Sequence, residues 1–291
     1  MNADAAYAYC RRLARSHYEN FPVASFALPA RLRDPVSAIY AFARTADDIA
    51  DEGDLTGAER LAGLAELQQR LDALADGEPA GEDPIFVALD HARRHHGITL
   101  EPLYDLLTAF RMDVTKKRYA DFGEVMEYCR YSANPVGRLM LQLFGAETPR
   151  HLAWSDAVCS ALQLINFLQD IAQDYHEKGR IYLPQDEMER FGVTEEHLRD
   201  RRNDAAMGNL MTFQAERAEG LLRSGAPLGE ALPGRIGLEL RLIVQGGLRI
   251  VQALRANADV FARPRLTLRD RLWMLRHALI PGGGPELSPR I

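Results

Sequence analysis

Apolar side chains recur every three or four residues along most of the chain, which is the period of an α-helix that buries one face. Alternating apolar and polar runs bounded by turn residues, the pattern of a β-strand, are scarce. The pattern therefore predicts an all-α protein. The predicted helices cover residues 4–19, 35–52, 56–76, 84–96, 100–111, 121–146, 150–176, 204–223, 235–262 and 267–279.

Proline and glycine separate these helices, for example at residues 77–84 and 227–234. None of the breaks is long enough to be a flexible linker between domains. We expect residues 1–280 to form one helical bundle around a central cavity. The Gly/Pro-rich residues 281–291 are expected to form a flexible tail.

The composition excludes several classes of protein. Hydrophobic residues make up 47% of the chain, which is enough to bury a sizeable core. The net charge is -6 and basic residues form no run, so we expect no nucleic-acid partner. The cysteines Cys10, Cys129 and Cys159 are odd in number and have no CxxC spacing, which argues against disulfides or a zinc site.

The sequence contains no stretch of 18 apolar residues, so it predicts no transmembrane helix. An export signal needs an apolar segment near the N-terminus, where this chain has Arg11, Arg12 and Arg15. The expected location is therefore the cytoplasm. Residues 266–280 mix leucines and Trp273 with arginines, a pattern that suits either peripheral contact with a membrane or packing against the body of the protein. The sequence leaves the oligomeric state open.

A first acidic motif lies in the helix predicted for residues 35–52. Asp47 and Asp51 are one turn apart on one face, and Arg44 lies one turn earlier. Like charges at this spacing repel by a few tenths of a kcal/mol, so a cation is expected nearby.

A second acidic motif places Asn166, Asp170 and Asp174 at four-residue intervals in an apolar helix. Oxygen ligands suit magnesium, and two such helices facing each other can grip a diphosphate through metal ions and stabilise its charge as it leaves. The alternative is that both motifs are solvated helix faces paired with lysine or arginine. A zinc hydrolase would need histidine ligands, which neither motif contains.

The two motifs resemble the DxxxD and NxxxDxxxD motifs of the squalene/phytoene synthase family. The similarity extends to about residue 265 and includes the segments at residues 128–131 and 179–184. It implies an isoprenoid diphosphate substrate and an isoprenoid-synthase type of helical bundle. The implied magnesium ligands are Asp47, Asp51, Asn166, Asp170 and Asp174, and the implied substrate contacts are His17, Tyr40, Arg44 and Gln163.

The resemblance also implies that Tyr128 faces the reaction cavity as a catalytic residue, together with the aspartates. The sequence alone favours the alternative that Tyr40 and Tyr128 are core tyrosines with satisfied hydroxyls. Arg180 either closes over the diphosphate or caps a helix end. The chain departs from several relatives at Glu19 and Gln169, where a basic residue would contact phosphate, so one phosphate site is expected to be altered.

Within the family, residues 42–53 and 132–138 resemble the hydroxysqualene synthases of the hopanoid pathway. This implies ionisation of presqualene diphosphate, rearrangement, and capture of the cation by water without NADPH. One alternative is head-to-head condensation of two farnesyl or geranylgeranyl diphosphates to presqualene diphosphate, squalene or phytoene. Another is a helical assembly factor without catalysis.

A proline interrupts the helix predicted for residues 121–146. Pro135 lacks the N–H that would bond to the carbonyl of Tyr131, which predicts a kink. One hypothesis is that Asn134 and this carbonyl position the capturing water. The alternative is that the kink only shapes the cavity.

Overall fold

The computed structural model describes residues 1–16 and 28–279. The predicted substrate contact His17, the departure at Glu19 and the tail over residues 281–291 lie outside the described residues.

The described residues form fifteen α-helices and no β-strand, which confirms the all-α prediction. The helices are α1 Ala3–Ser16, α2 Ala30–Asp51, α3 Gly57–Ala75, α4 Pro84–His96, α5 Glu101–Thr115, α6 Phe122–Ser132, α7 Asn134–Phe144, α8 Pro149–Gln169, α9 Ile171–Lys178, α10 Gln185–Phe191, α11 Glu195–Arg199, α12 Ala205–Gly225, α13 Leu228–Ala231, α14 Gly234–Ala256 and α15 Leu268–Leu279.

Local signals explain why some helix ends were predictable. The side chain of Asp83 accepts hydrogen bonds from the backbone N–H groups of Ile85 and Phe86, and Pro84 occupies the first turn, where a missing N–H costs nothing. The same helix ends at Gly97, whose φ of 71° favours glycine. Helix α4 therefore matches its predicted bounds.

Two predicted helices are broken, and three short ones were missed. The predicted helix 121–146 divides into α6 and α7 at Ala133, two residues before Pro135, and the predicted helix 150–176 divides at Asp170. Helices α10, α11 and α13 have seven residues or fewer, so they are too short to show a helical period.

Two large apolar clusters and a small third one, which contains Leu141, Leu228 and Leu232, form the interior of the described residues. The N-terminal core contains the buried faces of α1 to α5 together with Leu139 and Leu143 of α7. The C-terminal core contains the buried faces of α6, α8, α12 and α14. Helix α7 packs against both α5 and α8, so it joins the two cores.

The C-terminal helix of the described chain packs on α14. Its Asp270 forms an ion pair with Arg249, and a methyl placed on Gly246 would touch Met274 at 3.1 Å. Within the part of the chain that the structure describes, no helix has the length and apolarity needed to cross a bilayer.

Candidate active site

The first acidic motif occupies the last turns of α2. Asp47 receives a hydrogen bond from Arg44 at 3.2 Å, and the same guanidinium forms an ion pair with Asp48 at 2.6 Å. Burial raises the pKa of Asp47, and the neighbouring Asp51 charge raises it further, against the opposing charges of Lys178 and Arg44. Arg44 is thus the cation that α2 itself supplies, and it neutralises only part of the negative charge of Asp47, Asp48 and Asp51.

Asp51 obtains its partners from a distant part of the chain. Lys178 Nζ donates to it at 2.5 Å, and Arg180 donates through two nitrogens at 2.9 and 2.5 Å. Burial alone would raise the pKa of Asp51, but these hydrogen bonds lower it to about 2. Asp51 is therefore ionised, and its partners follow the second motif directly in sequence.

The second acidic motif spans the junction of α8 and α9. The helical hydrogen bonds continue through the break, because Asp170 N–H donates to Asn166 O at 2.9 Å and Asp174 N–H donates to Asp170 O at 2.8 Å. The three side chains therefore remain one turn apart. The break at Asp170 changes the helix assignment but preserves the predicted spacing.

Arg263 neutralises Asp170 from the loop after α14. Its Nε lies 2.6 Å from Asp170 Oδ1, and its Nη2 donates to Oδ2 at 3.1 Å. The amide of Gln169 donates to the carbonyl of Pro264 at 3.0 Å, which anchors the same loop. Although Gln169 itself is uncharged, it holds the loop that brings the guanidinium of Arg263 to this place.

Asp174 carries the most perturbed carboxylate of the second motif. Burial raises its pKa to about 7, with a further contribution from the charge of Asp170, while Lys178 and Arg180 oppose the shift. Arg180 N–H also donates to the carbonyl of Asp174 at 2.9 Å. Lys178 and Arg180 thus connect the two motifs at one end of the bundle, and the remaining negative charge favours cation binding there.

The donor set suits a hard divalent cation. Among residues 1–16 and 28–279, no three His, Cys, Asp or Glu side chains lie close enough together to hold an ion unaided. Magnesium in phosphate-handling sites commonly takes one or two carboxylates and completes its shell with water and substrate phosphates. The side-chain oxygens of the two motifs are of the type that this pattern uses, and in this structure Asp51 and Asp170 are paired with Lys178, Arg180 and Arg263.

A buried carboxylate that sequence analysis missed lies next to the motifs. Asp113 accepts hydrogen bonds from Tyr128 at 2.9 Å and from Tyr182 at 3.2 Å, and its backbone carbonyl accepts one from Arg180 at 2.8 Å. Burial raises the pKa of Asp113 to about 6, against the opposing charge of Arg180. Asp113 lies beyond the predicted end of its helix and belongs to no motif, so the sequence carried no signal for it.

Tyr128 belongs to a cluster of aromatic rings around Asp113. The rings of Phe167 and Tyr182 are stacked with centroids 3.8 Å apart, and Tyr128 lies 5.4 Å from Tyr182. Tyr119 also stacks with Tyr182, with ring centroids 5.6 Å apart. Aromatic faces stabilise cations, and a buried position strengthens the effect. Tyr128 itself is buried, with its hydroxyl bonded to Asp113.

An apolar cavity of about 630 Å³ runs between α7, α8 and α14. Gln163 and Asn166 lie in its wall, so it adjoins the second acidic motif, and its lining also includes Phe144 at the end of α7 and Leu228 of α13. This volume is within the range of roughly 300–1,000 Å³ that is typical of small-molecule sites. Its apolar lining includes Val136, Met140, Val158, Leu162, Leu240 and Ile243.

Three other predicted substrate contacts have defined surroundings. Arg180 is only 4% exposed; it forms hydrogen bonds with Asp51 and donates to the carbonyl of Asp113 in the last turn of α5, so it caps that helix end while it also holds Asp51. Asn134 is buried, and its side-chain oxygen accepts a hydrogen bond from Ser160 at 2.8 Å. Tyr40 is half-buried on α2, one turn before Arg44.

A family model described as squalene/phytoene synthase matches residues 5–271. The chain belongs to the squalene/phytoene synthase family. This membership confirms the resemblance seen in the two aspartate motifs.

Other members of the squalene/phytoene synthase family are similar over most of their length. A hydroxysqualene synthase from Rhodopseudomonas palustris is 43% identical over 249 residues, covering 85% of this chain and 83% of that protein. A hydroxysqualene synthase from Sinorhizobium fredii is 38% identical, with coverages of 86% and 84%. The crystal structure of a squalene synthase from Alicyclobacillus acidocaldarius is 37% identical, with a TM-score of 0.82 and coverages of 88% and 95%.

Proposed function

We propose that the protein is a magnesium-dependent hydroxysqualene synthase, which converts presqualene diphosphate and water into hydroxysqualene and diphosphate. The observation that carries this proposal is the apolar cavity that adjoins the second acidic motif through Gln163 and Asn166. A C30 substrate with a diphosphate head needs this combination of apolar volume and oxygen ligands. Similarity to two relatives named hydroxysqualene synthase supports the choice of reaction.

The acidic motifs would hold the metal ions. Magnesium, when bound, would neutralise the negative charge that develops on the departing diphosphate. Lys178 and Arg180 orient Asp51 and keep it ionised, and Arg263 forms an ion pair with Asp170 through both carboxylate oxygens. The proposed ligands are Asp47, Asp51, Asn166, Asp170 and Asp174.

The aromatic cluster would act on the other charge of the reaction. Once the diphosphate leaves, the remaining hydrocarbon is a carbocation, and we propose that the electron-rich cluster of Tyr128, Phe167 and Tyr182, which lies outside the cavity lining, stabilises it electrostatically. Asp113 contributes negative charge next to these rings, and its hydrogen bonds with Tyr128 and Tyr182 fix their positions. The apolar cavity wall excludes bulk water from the cation.

The second candidate is head-to-head condensation of two prenyl diphosphates. It is supported by the 37% identity to a protein named squalene synthase. The two reactions need the same metal site, so their substrates and products distinguish them. The proposed reaction transfers no hydride, and we expect no requirement for NADPH.

The deciding experiment supplies the purified protein with magnesium and either presqualene diphosphate or farnesyl diphosphate, each with and without NADPH. We expect hydroxysqualene from presqualene diphosphate alone, identified by mass spectrometry, and no product when EDTA replaces magnesium. Squalene or phytoene made from farnesyl or geranylgeranyl diphosphate would favour the second candidate. Matched variants are Asp170→Asn, which should abolish turnover, and Asp200→Asn on the exposed surface, which should not.

We also propose that the protein catalyses a step of hopanoid synthesis in the cytoplasm, at the surface of a membrane. Both its proposed substrate and its product are lipids. Leu268, at the start of α15, is 76% exposed beside the basic residue Arg269, a combination that favours contact with an anionic bilayer surface.

A further inference from the structure

Apolar side chains from α7, α13 and α14 close one part of the cavity. Phe144, the last residue of α7, and Ile236, in the first turn of α14, are half-buried and line it. Both pack on Leu141, Leu228 and Leu232, which also line the cavity and are each at most 5% exposed. We call these five residues the cavity floor.

The cavity floor lies at the end of the cavity opposite the second acidic motif. Asn134, at the start of α7, pairs with Ser160 of α8, and only residues 145–148 separate Phe144 from the start of α8. The two helices therefore run antiparallel, and Phe144 lies beside the first turns of α8. Asn166, which belongs to the acidic motif, is in the last turn of the same helix.

The wall formed by α8 gives the depth of the cavity. Its lining residues run from Asn166 to Ser155, eleven positions apart, which at 1.5 Å per residue corresponds to about 16 Å. Trp154, the neighbour of Ser155, packs on the leucines of the cavity floor. The lined part of α8 therefore ends at the floor.

This depth limits the length of an isoprenoid arm. An extended carbon chain advances about 1.2 Å per bond, so a farnesyl chain is about 13 Å long and a geranylgeranyl chain about 18 Å. The farnesyl chain fits between the acidic end and the cavity floor. The fourth isoprene unit of the longer chain would meet Phe144 and Ile236.

The cavity floor is held in place by backbone contacts. Arg241 donates hydrogen bonds to the carbonyl of Gly229 in α13 at 2.6 Å and to the carbonyl of Ala278 in α15 at 2.8 Å. A methyl on Gly237 would collide with the carbonyl oxygens of Leu232 and Gly229, so the backbones of α13 and α14 already touch. Because close-packed backbone cannot move aside as a side chain can, the floor does not retreat to admit a longer arm.

We propose that Phe144 and Ile236 are specificity-determining residues that limit the substrate arm in this cavity to the farnesyl length, an inference that rests on the proposed function of the cavity in holding an isoprenoid diphosphate. Presqualene diphosphate, which is built from two farnesyl units, meets this limit. Its C40 homologue, built from two geranylgeranyl units, exceeds the limit by one isoprene unit in each arm. The cavity floor thus selects the C30 class of substrate.

The test measures binding as a function of chain length, without turnover. The ligands are geranyl, farnesyl and geranylgeranyl thiolodiphosphate, whose carbon–sulfur bond resists cleavage. Isothermal titration calorimetry in the presence of magnesium gives each dissociation constant. Wild-type protein should bind the farnesyl ligand at least about tenfold more tightly than the geranyl ligand, because the third isoprene unit is buried. It should gain no affinity from the fourth unit.

Lowering the cavity floor should change that last result. Phe144→Ala removes a ring about as large as one isoprene unit, so the affinity for the geranylgeranyl ligand relative to the farnesyl ligand should rise about tenfold. Phe191→Ala is the matched control, because Phe191 is also half-buried but packs on the C-terminal core away from the cavity lining. It should leave this ratio unchanged. The geranyl ligand is too short to reach the floor, so all three proteins should bind it equally.

Ile236→Ala lowers the cavity floor from the α14 side and removes fewer atoms. It should raise the same affinity ratio by a few fold, and it keeps the test decisive where Phe144→Ala does not fold. An unchanged ratio in the folded variants would overturn the proposal. So would wild-type protein that binds the geranylgeranyl ligand about tenfold more tightly than the farnesyl ligand.

The proposed function and the role of the cavity floor fail in different ways. If wild-type protein binds the farnesyl ligand but makes no hydroxysqualene from presqualene diphosphate, the proposed reaction is wrong and the length limit stands. If wild-type protein makes hydroxysqualene and the floor variants keep the wild-type affinity ratio, Phe144 and Ile236 do not determine chain length.

Discussion

At the scale of single residues, Arg180 is the side chain on which the acidic end of the bundle depends. It is 4% exposed and donates to the carboxylate of Asp51 and to the backbone carbonyl of Asp113. A carboxylate buried without its cationic partner is costly, because neither solvent nor protein stabilises its charge. Arg180 therefore supports both the proposed ligand Asp51 and the aromatic cluster around Asp113.

Replacing Arg180 with methionine should lower the free energy of unfolding by about 3 kcal/mol, the usual cost of breaking a buried ion pair from one side. Urea denaturation at pH 7.5 measures the change. The control is Arg199→Met, because Arg199 forms its ion pairs with Asp200 and Glu196 on the surface. An equal loss in both variants would contradict the role given to Arg180.

In the absence of metal, the ionisation of Asp174 and the ionisation of Asp51 should change the stability of the fold with pH in opposite directions. Because burial raises the folded-state pKa of Asp174 to about 7, its contribution to stability is present below pH 4 and is lost as the pH rises through 7. Asp174→Asn should therefore be more stable than wild type at pH 8 by on the order of 1 kcal/mol, after allowance for solvent screening. The gain should shrink toward pH 5.

The carboxylate of Asp51 should affect the pH dependence of stability in the opposite direction to that of Asp174. Its pKa is lowered to about 2 by Arg180 and Lys178 despite burial, so its contribution is present above pH 4 and is lost as the pH falls through 2. Asp51→Asn should therefore destabilise the protein at pH 8. Thermal unfolding in EDTA between pH 5 and 8 tests both variants, and a shift of the same sign in both would refute the assignment.

At the scale of elements, the close packing of α12 on α8 determines where the second motif lies. A methyl on Gly225 would come 2.5 Å from the carbonyl oxygen of Trp154 and 2.9 Å from the backbone nitrogen of Val158. Backbone atoms of α8 cannot move aside as the end of a flexible side chain would. Gly225 thus permits an approach that a larger residue would prevent.

Gly225→Ala should destabilise the protein by about 1–3 kcal/mol, the typical cost of overpacking a core. The matched control is Gly220→Ala on the same helix, where a methyl meets no atom within 4 Å. That change should stabilise by about 0.5–1 kcal/mol, because alanine loses less backbone entropy than glycine in a helix. Denaturation midpoints of the two variants should therefore move in opposite directions.

At the scale of the whole molecule, the candidate site joins the two cores. The first motif is on α2 of the N-terminal core, and the second is on α8 and α9 beside the C-terminal core. Lys178 and Arg180 reach across this boundary to Asp51. A diphosphate with its metal ions would bind on both sides of the boundary and hold the cores together.

Magnesium and inorganic pyrophosphate together should therefore raise the thermal midpoint by about 5 °C when pyrophosphate is near 100 times its dissociation constant. Either compound alone should give a smaller shift. The double variant Asp51→Asn/Asp170→Asn should lose the combined effect. An undiminished shift in that variant would place diphosphate binding away from the two motifs.

The sequence was sufficient to predict the all-α fold, the family and most helix positions. These properties depend on local signals: the apolar period, capping residues such as Asp83, and the four-residue spacing within each acidic motif. The break before Pro135 was also predictable, since a missing backbone N–H has the same effect in any fold.

Only the tertiary structure decided which residues surround the motifs. Asp51 meets Lys178 and Arg180 from more than 120 positions away, and Asp170 meets Arg263. Asp113, which accepts the hydrogen bond of Tyr128, belongs to no sequence motif. Partner choice and pKa depend on burial and on distances between helices, and neither is determined by the spacing of residues within one helix.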